Sequence, residues 1–447
     1  MEAVGPKAAS GRATGARARR AVWGAFLAFF VDNYDIFLPV IALAPAIAYF
    51  IPTRMPPATA AIVANLIFAT TLIGRPLGAF VFGHLADTLG RRRGAIVSVA
   101  GFGVITLVIA LLPGYAQWGM AATAVFIVLR LIDGIFLGGE YTAATPLAME
   151  YAPKERRGLL GAVIQSAASL GTAAISLVTL LVLFVFPAGG PRSPYAIIGW
   201  RIPFFVGAAM AFALAFYYQR TVDESELWRA ARRTDAPLRS LFSGANLRTF
   251  AQVFVLMSGF WLSLNATLSV LPGLLASRMG VKGSTLTFAL VVAYLALAIV
   301  YVGAGALSQR IGRRAYLMGA SLTSLVLGTS FYFLLLHTGP RTLLPVVVLT
   351  TIVVVLITAP GALSAVYLNE RFKTEIRASG FGLGYSLAIV LPSFYAFYQS
   401  GLSALMPFIY TPLVLVGVGA LLILAGAAWG PETKDVDFAA GSTGPAS

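Results

Sequence analysis

The chain has 447 residues, 58% of them hydrophobic and 11% charged, with 45 glycines, no cysteine and a formal net charge of +15. A soluble domain carries about 25% charged residues, so lipid rather than water is the expected solvent. The absence of cysteine excludes disulfides, thiolate catalysis and cysteine metal sites. The positive charge is concentrated in one set of loops, which argues for membrane topology and against a nucleic-acid partner.

Residues 1–21 are small, polar and basic, without the apolar run and cleavage site of a signal peptide. They are expected to form a disordered cytoplasmic tail, with Arg17, Arg19 and Arg20 available to a membrane surface. Twelve segments of spanning length and apolarity follow, near 22–50, 59–83, 94–112, 120–148, 159–186, 199–219, 249–276, 285–307, 315–337, 342–368, 378–400 and 405–429. The expected fold is all-α, with a six-helix bundle at 22–219 and a second at 249–429. A charged linker at 220–248 containing Pro237 joins them, and a cytoplasmic tail at 430–447 is polar and disordered from Asp435 onward. With the N-terminus inside, cytoplasmic segments hold 24 of the 32 Lys and Arg residues. The outer loops hold Arg54, Arg192, Arg278, Lys282 and Arg341, which settles the expected orientation.

Ionisable residues within spans are costly and point to function. Span one carries Asp32 and Asp35, three apart on one helix face. Asp32 lies at a depth of about 15 Å, near the midplane. Two carboxylates so close cannot both stay ionised cheaply, which suits reversible protonation. Asp35 is the favoured carrier, and a fixed ion pair that locks the helix is the plainer alternative. Span two carries Arg75, a candidate for binding an anionic solute through paired hydrogen bonds, or for packing against an acid such as Glu140. Span four carries Arg130, Asp133 and Glu140. Arg130 is the candidate partner of the protonatable carboxylate, or is satisfied locally by Asp133. Glu140 is a structural pairing residue or part of the polar cavity, and is also a candidate for proton coupling. Arg201, opening span six, either binds solute or anchors the interface beside Trp200. In the second half Asn265, Tyr367, Tyr385 and Gln399 are candidate cavity residues, although each alone is more often explained by packing or helix–helix bonding.

Two loop patterns recur. Gly83-His-Leu-Ala-Asp87-Thr-Leu-Gly90-Arg91 returns as Gly305-Ala-Leu-Ser-Gln309-Arg-Ile-Gly312-Arg313, and Glu150…Arg157 returns as Glu370…Arg377. Matching loops at nearly one offset indicate repeated halves with a site between them. The opposite charges of Asp87, Arg91, Glu150 and Arg157 are expected to form a cytoplasmic gate, extended by Glu224, Glu370, Arg377 and Glu432.

These residues resemble the major facilitator superfamily over essentially the whole chain. The loop after span two is similar to its G-x-L-a-D-r-x-G-r-r signature, Arg130…Gly134 to its R-x-x-x-G motif, and Pro431-Glu-Thr-Lys434 to the tail of sugar porters. Arg75-Pro-Leu-Gly78, Gly138-Gly-Glu140-Tyr141 and Gly199-Trp-Arg201-Ile-Pro-Phe204 resemble motifs of the metabolite:proton symporters. That group comprises α-ketoglutarate, citrate, shikimate and proline/betaine permeases. Asp32-Asn-Tyr-Asp35 is similar to their E-W-[FY]-D, with Asp for Glu and Asn33 for Trp, and Lys373 replaces the usual proline. Gln309 replaces the aspartate of the second loop signature, which is expected to weaken any charge latch there. The resemblance implies twelve helices in two pseudo-symmetric bundles and proton-coupled import of a small organic solute, foremost an organic acid, by alternating access. It implies no enzymatic activity and no cofactor or metal. The expected partners are a small-molecule substrate, protons and the bilayer of the inner membrane, around a monomer. An exporter or sugar porter of the same fold, and a non-transporting sensor or scaffold, are the alternatives.

Overall fold

In lipid a backbone must satisfy its own hydrogen bonds, and a long apolar segment does so as a helix. The computed structural model describes residues 6–52, 55, 57–230, 237–277, 279–281, 283–340 and 342–438. Twelve of its helices are long and apolar enough to cross a membrane: α1 (Ala16–Ala42), α2 (Leu66–Thr88), α3 (Arg91–Ala110), α4 (Met120–Tyr151), α5 (Lys154–Val185), α6 (Tyr195–Thr221), α7 (Gly244–Leu275), α8 (Thr285–Ile311), α9 (Arg313–Thr338), α10 (Leu343–Arg371), α11 (Thr374–Leu402) and α12 (Phe408–Trp429).

The two bundles repeat one packing plan. In the first, α2 packs on α4, α3 on α6 and α1 on α5; in the second, α8 packs on α10, α9 on α12 and α7 on α11. Across the bundles, α2 meets α11 and α5 meets α8. Small residues allow the tightest of these contacts. A Cβ on Gly78 would lie 1.9 Å from the Ile135 carbonyl oxygen, and one on Gly134 would lie 2.1 Å from that of Thr71. The glycines in the Arg75 and Arg130 motifs therefore bring α2 and α4 into backbone contact and set both arginines beside α1. Asn265–Ser269 forms a π turn inside α7, a local break of the kind found at functional sites.

Both ends of the described chain differ from expectation. The tail expected to be disordered is helical from Pro6, continuous with α1. Alanine and arginine are strong helix formers, and Arg17 is held by Asp223 at 3.6 Å and by Glu226 at 2.5 Å. At the other end, residues 435–438 are placed against the bundles, and the Phe438 ring is buried. Residues 439–447 of that expected tail lie outside the described residues. Arg17 against the linker and Phe438 against the starts of α5 and α11 put both ends of the described chain on one face of the molecule, the terminal face.

Candidate functional site

A cavity lies between the bundles. Asp32, Arg75 and Gln165 line it from the first half, and Trp261, Asn265 and Tyr385 from the second. Asp32 and Arg75 are buried, with Arg75 Nη2 2.9 Å from Asp32 Oδ2. Asn33 Nδ2 reaches the same oxygen at 3.4 Å, while Asp32 Oδ1 has no hydrogen-bond partner among the described residues. The Arg75 guanidinium also lies over the Tyr141 ring, 4.7 Å from its centroid. The cavity thus carries one guanidinium, held by one carboxylate that has an oxygen to spare.

Asp35 is in a different setting. It does not line the cavity. Arg130 Nη1 donates to Asp35 Oδ1 at 2.8 Å and stands 2.8 Å from Asp133, Arg130 Nε donates to Thr71, and Thr106 donates to Asp35 Oδ2 at 2.5 Å. The two span-one carboxylates therefore do not share one cation: Asp32 has Arg75 and Asp35 has Arg130. The i, i+3 pair of Arg130 and Asp133 exists alongside the Asp35 pair, so Arg130 contacts both acids at once. Glu140 is fully buried on α4, outside the cavity lining, and neither carboxylate oxygen has a hydrogen-bond partner among the described residues.

Three residues expected at the solute lie outside this cavity lining, besides Arg130 and Glu140. Arg201 Nη2 donates to the Tyr49 hydroxyl and the Leu112 carbonyl, and its guanidinium stacks on Trp200, so it anchors the end of α6 away from the terminal face. Gln399 donates to Thr411 at 3.1 Å within the second bundle. The Tyr367 hydroxyl accepts from Gln252 and sits beside Pro431, at the terminal face. Each has a local polar partner that a buried polar group needs, and the sequence alone does not show it. Conversely, Gln165, Ser169, Thr172, Trp261, Tyr294 and Tyr301 line the cavity unannounced. Their signal was a polar or aromatic residue on an otherwise apolar helix, which is too common to single out.

The terminal face is closed by two matching networks. In the first, Asp87 accepts from the Ala378 and Ser379 N–H groups at 3.2 and 2.9 Å and from the Ser379 hydroxyl at 2.8 Å. Arg91 and Arg377 converge on Glu150 Oε1 at 2.9 and 2.6 Å. In the second, Gln309 Oε1 accepts from the Gly158 N–H at 3.0 Å and from Arg313 at 2.9 Å. Arg313 pairs with Glu370 at 3.3 Å, and Arg157 approaches Glu370 at 4.0 Å. Gln309 therefore does not leave the second network open, because its amide supplies the acceptor that the aspartate supplies in the first.

The loop glycines follow from the turn. Gly90 and Gly312 have φ of +119° and +101°, in the region that favours glycine. Beside them Glu224 accepts from the Arg91 and Arg92 N–H groups, and Glu432 from those of Arg313 and Arg314, capping α3 and α9. Burial works against ionisation of Glu432, but the N–H groups of Arg313, Lys434, Arg314 and Thr433 outweigh it and hold its carboxyl below the usual value. Gly83 sits where a Cβ would lie 3.0 Å from Ser379 Cα, so it lets α2 and α11 close.

A family model described as the Major Facilitator Superfamily matches residues 22–396. The chain is 26% identical to the inner membrane metabolite transport protein YhjE of Escherichia coli strain K12, over 81% of this chain and 82% of that one. It is 29% identical to the citrate-proton symporter of Salmonella typhi, over 85% and 86%. Its fold is similar to that of the proton:xylose symporter XylE bound to 6-bromo-6-deoxy-D-glucose, with a TM-score of 0.75 at 17% identity, covering 94% of this chain and 97% of that one. At that identity the structural likeness speaks for the fold alone.

Proposed function

We propose that this chain, which belongs to the Major Facilitator Superfamily, is a proton-coupled importer of a small organic solute, foremost an organic acid. It is a multi-pass membrane transporter with twelve spans, related to metabolite and organic-acid symporters, and it is not an enzyme. The observation that carries the finer reading is the Asp32–Arg75 pair on the cavity wall. While Asp32 is ionised it occupies Arg75. When Asp32 takes a proton, the pair loses its attraction and the guanidinium is free to hold a solute carboxylate. Proton and anion then enter together, because each is favoured by the presence of the other.

The second step is alternating access, with the halves rocking about the cavity and the terminal-face networks breaking as that side opens. Lys and Arg concentrate in the loops of the terminal face, which supports a cytoplasmic position for it, and a relative named as an inner membrane protein supports the inner membrane. Asp35, Arg130, Asp133 and Glu140 form the buried polar support of the first half. Asn265 and Tyr385 face the solute from the second half.

The test is uptake by purified protein in vesicles. A panel of citrate, α-ketoglutarate, shikimate, proline and betaine is offered under an inward proton gradient, with a neutral sugar as the contrast. Accumulation of an acid that a protonophore abolishes supports the reading. Accumulation that survives collapse of the proton gradient and follows sodium refutes the coupling, and preference for the sugar refutes the solute class.

A further inference from the structure

Residues 432–438 run from the end of α12 across the closed terminal face and touch both halves. On the second half, Glu432 caps α9, the Thr433 hydroxyl donates to Glu370 at 2.7 Å, and Thr374 of α11 donates to the Phe438 carbonyl at 3.5 Å. On the first half, Lys154 lies 3.8 Å from Asp435, and Arg157 Nη1 donates to the Val436 carbonyl at 2.9 Å. The segment ends on a buried aromatic ring.

That ring joins the two halves. The Arg157 guanidinium, from the start of α5, lies 3.7 Å from the Phe438 centroid, and the Arg377 guanidinium, from α11, lies 3.8 Å from it. Two guanidinium planes cannot share one face of a ring at these distances, so Phe438 lies between them. Each face of an aromatic ring attracts a cation, and the attraction is stronger away from water. The same arginines serve the charge networks, Arg377 with Glu150 and Arg157 with Glu370. Phe438 thus separates two like charges and holds each at its acid. When the halves part on this side, Arg157 and Arg377 move apart and the ring can keep only one of them.

We infer that residues 432–438 are a detachable third component of the terminal gate, with Phe438 as the positioning residue that pins the two halves together. Opening on this side requires the ring to leave at least one arginine, so Phe438 sets how readily the transporter opens there. The inference rests on the alternating-access reading, but its readout needs neither a substrate nor a proton gradient.

The chain has no cysteine, so single reporters are unambiguous. Thr142 on α4 is buried against α11, where a Cβ on Gly382 would lie 2.3 Å from its hydroxyl, so Thr142→Cys reports separation of the halves. Ala211 is buried inside the first bundle against Gly103, so Ala211→Cys reports loosening of the fold. Alkylation by N-ethylmaleimide is followed in membranes for the full chain. Phe438→Ala and Phe438→Leu are expected to raise alkylation at Thr142→Cys about fivefold or more, while Phe438→Tyr stays at the parent rate. Alkylation at Ala211→Cys should not change. A parental rate at Thr142→Cys in Phe438→Ala overturns the inference. So does a parallel rise at both reporters, or a Phe438→Leu variant that behaves as the parent, since apolar filling would then be sufficient.

Discussion

Gln309 holds in the second half the place that Asp87 holds in the first: each accepts a hydrogen bond from the first backbone N–H groups of a helix in the opposite half. The start of a helix carries unpaired N–H groups and partial positive charge, so an acceptor there closes the interface. A carboxylate does this more strongly than an amide. Hydrogen bonds to charged groups contribute about 1.5–3 kcal/mol, and neutral ones about 1 kcal/mol. Asp87→Asn is therefore expected to slow uptake about tenfold or more, with solute affinity held within a few-fold because the residue is outside the cavity. Gln309→Ala should be several times milder. Initial uptake rates and equilibrium binding on the same preparations check this, and equal losses in the two variants would show that charge is not what distinguishes the two networks.

The α2–α4 contact makes a separate prediction about stability. An alanine at Gly78 or Gly134 would put a methyl group 1.9 or 2.1 Å from a carbonyl oxygen of the facing backbone. Neither backbone can yield without moving Arg75 or Arg130, so each substitution is expected to cost about 1–3 kcal/mol or more. Gly303 on α8 has nothing within 4 Å of such a methyl, and Gly303→Ala should be neutral or mildly stabilising through helix propensity. Thermal unfolding in one detergent compares the three. A Gly134→Ala protein as stable as Gly303→Ala would contradict the close-approach argument.

The architecture was legible because its causes are local. Length, apolarity and the placement of Arg and Lys specify spans and loops residue by residue, and the repeat of Gly83–Arg91 in Gly305–Arg313 exposes the two halves. The polar ladder of α1 was legible in part. Asp32 and Asp35 stand out in an apolar helix, but which arginine each one meets depends on how far α2 and α4 approach, and on Thr71 and Thr106, which are inconspicuous in sequence. Tyr367, Arg201 and Gln399 lie outside the cavity for a related reason: a polar residue in a span needs a partner, and theirs are a backbone carbonyl, a tyrosine hydroxyl and a threonine close by. The tail around Phe438 was hidden because a short polar segment with one aromatic residue reads as disordered until the two arginines that receive the ring are known.

Glu432 gives a pH dependence whose sign can be worked out. Its folded carboxyl titrates below the ordinary value of 4.5 because backbone N–H groups favour the charged form. A lowered folded value means that the stabilisation is fully present above about pH 4.5 and fades as pH falls through the folded value. Glu432→Gln should therefore lower the unfolding midpoint at pH 7, modestly because the side chain is exposed and screened by solvent. The difference from the parent should shrink as pH drops below 4.5. A difference that is constant from pH 7 to pH 3 would show that the cap acts through shape and not through charge.

Asp32, and not Asp35, is the span-one carboxyl expected to tie uptake to the proton gradient. Asp32 faces the cavity and holds the guanidinium there, with one oxygen unengaged. Asp35 is enclosed by Arg130 and Thr106, and Arg130 keeps Asp133 and Thr71 if Asp35 is lost. Asp32→Asn keeps the size of the side chain but cannot release or accept a proton near neutral pH. It should abolish uphill accumulation while preserving counterflow exchange, and that exchange should lose its pH dependence because Arg75 is no longer competed for. Asp35→Asn removes one charge-assisted hydrogen bond from a network with others in reserve. Its cost should be about tenfold in rate at most, with accumulation still driven by the gradient. Arg75→Lys provides the cross-check, since a lysine can neutralise Asp32 but cannot present a planar fork to a solute carboxylate. Affinity should then fall about tenfold or more for acids, with little change for neutral solutes. Uphill uptake that survives Asp32→Asn and is lost in Asp35→Asn would move the coupling to the Arg130 network and leave Arg75 as a purely structural partner of α1.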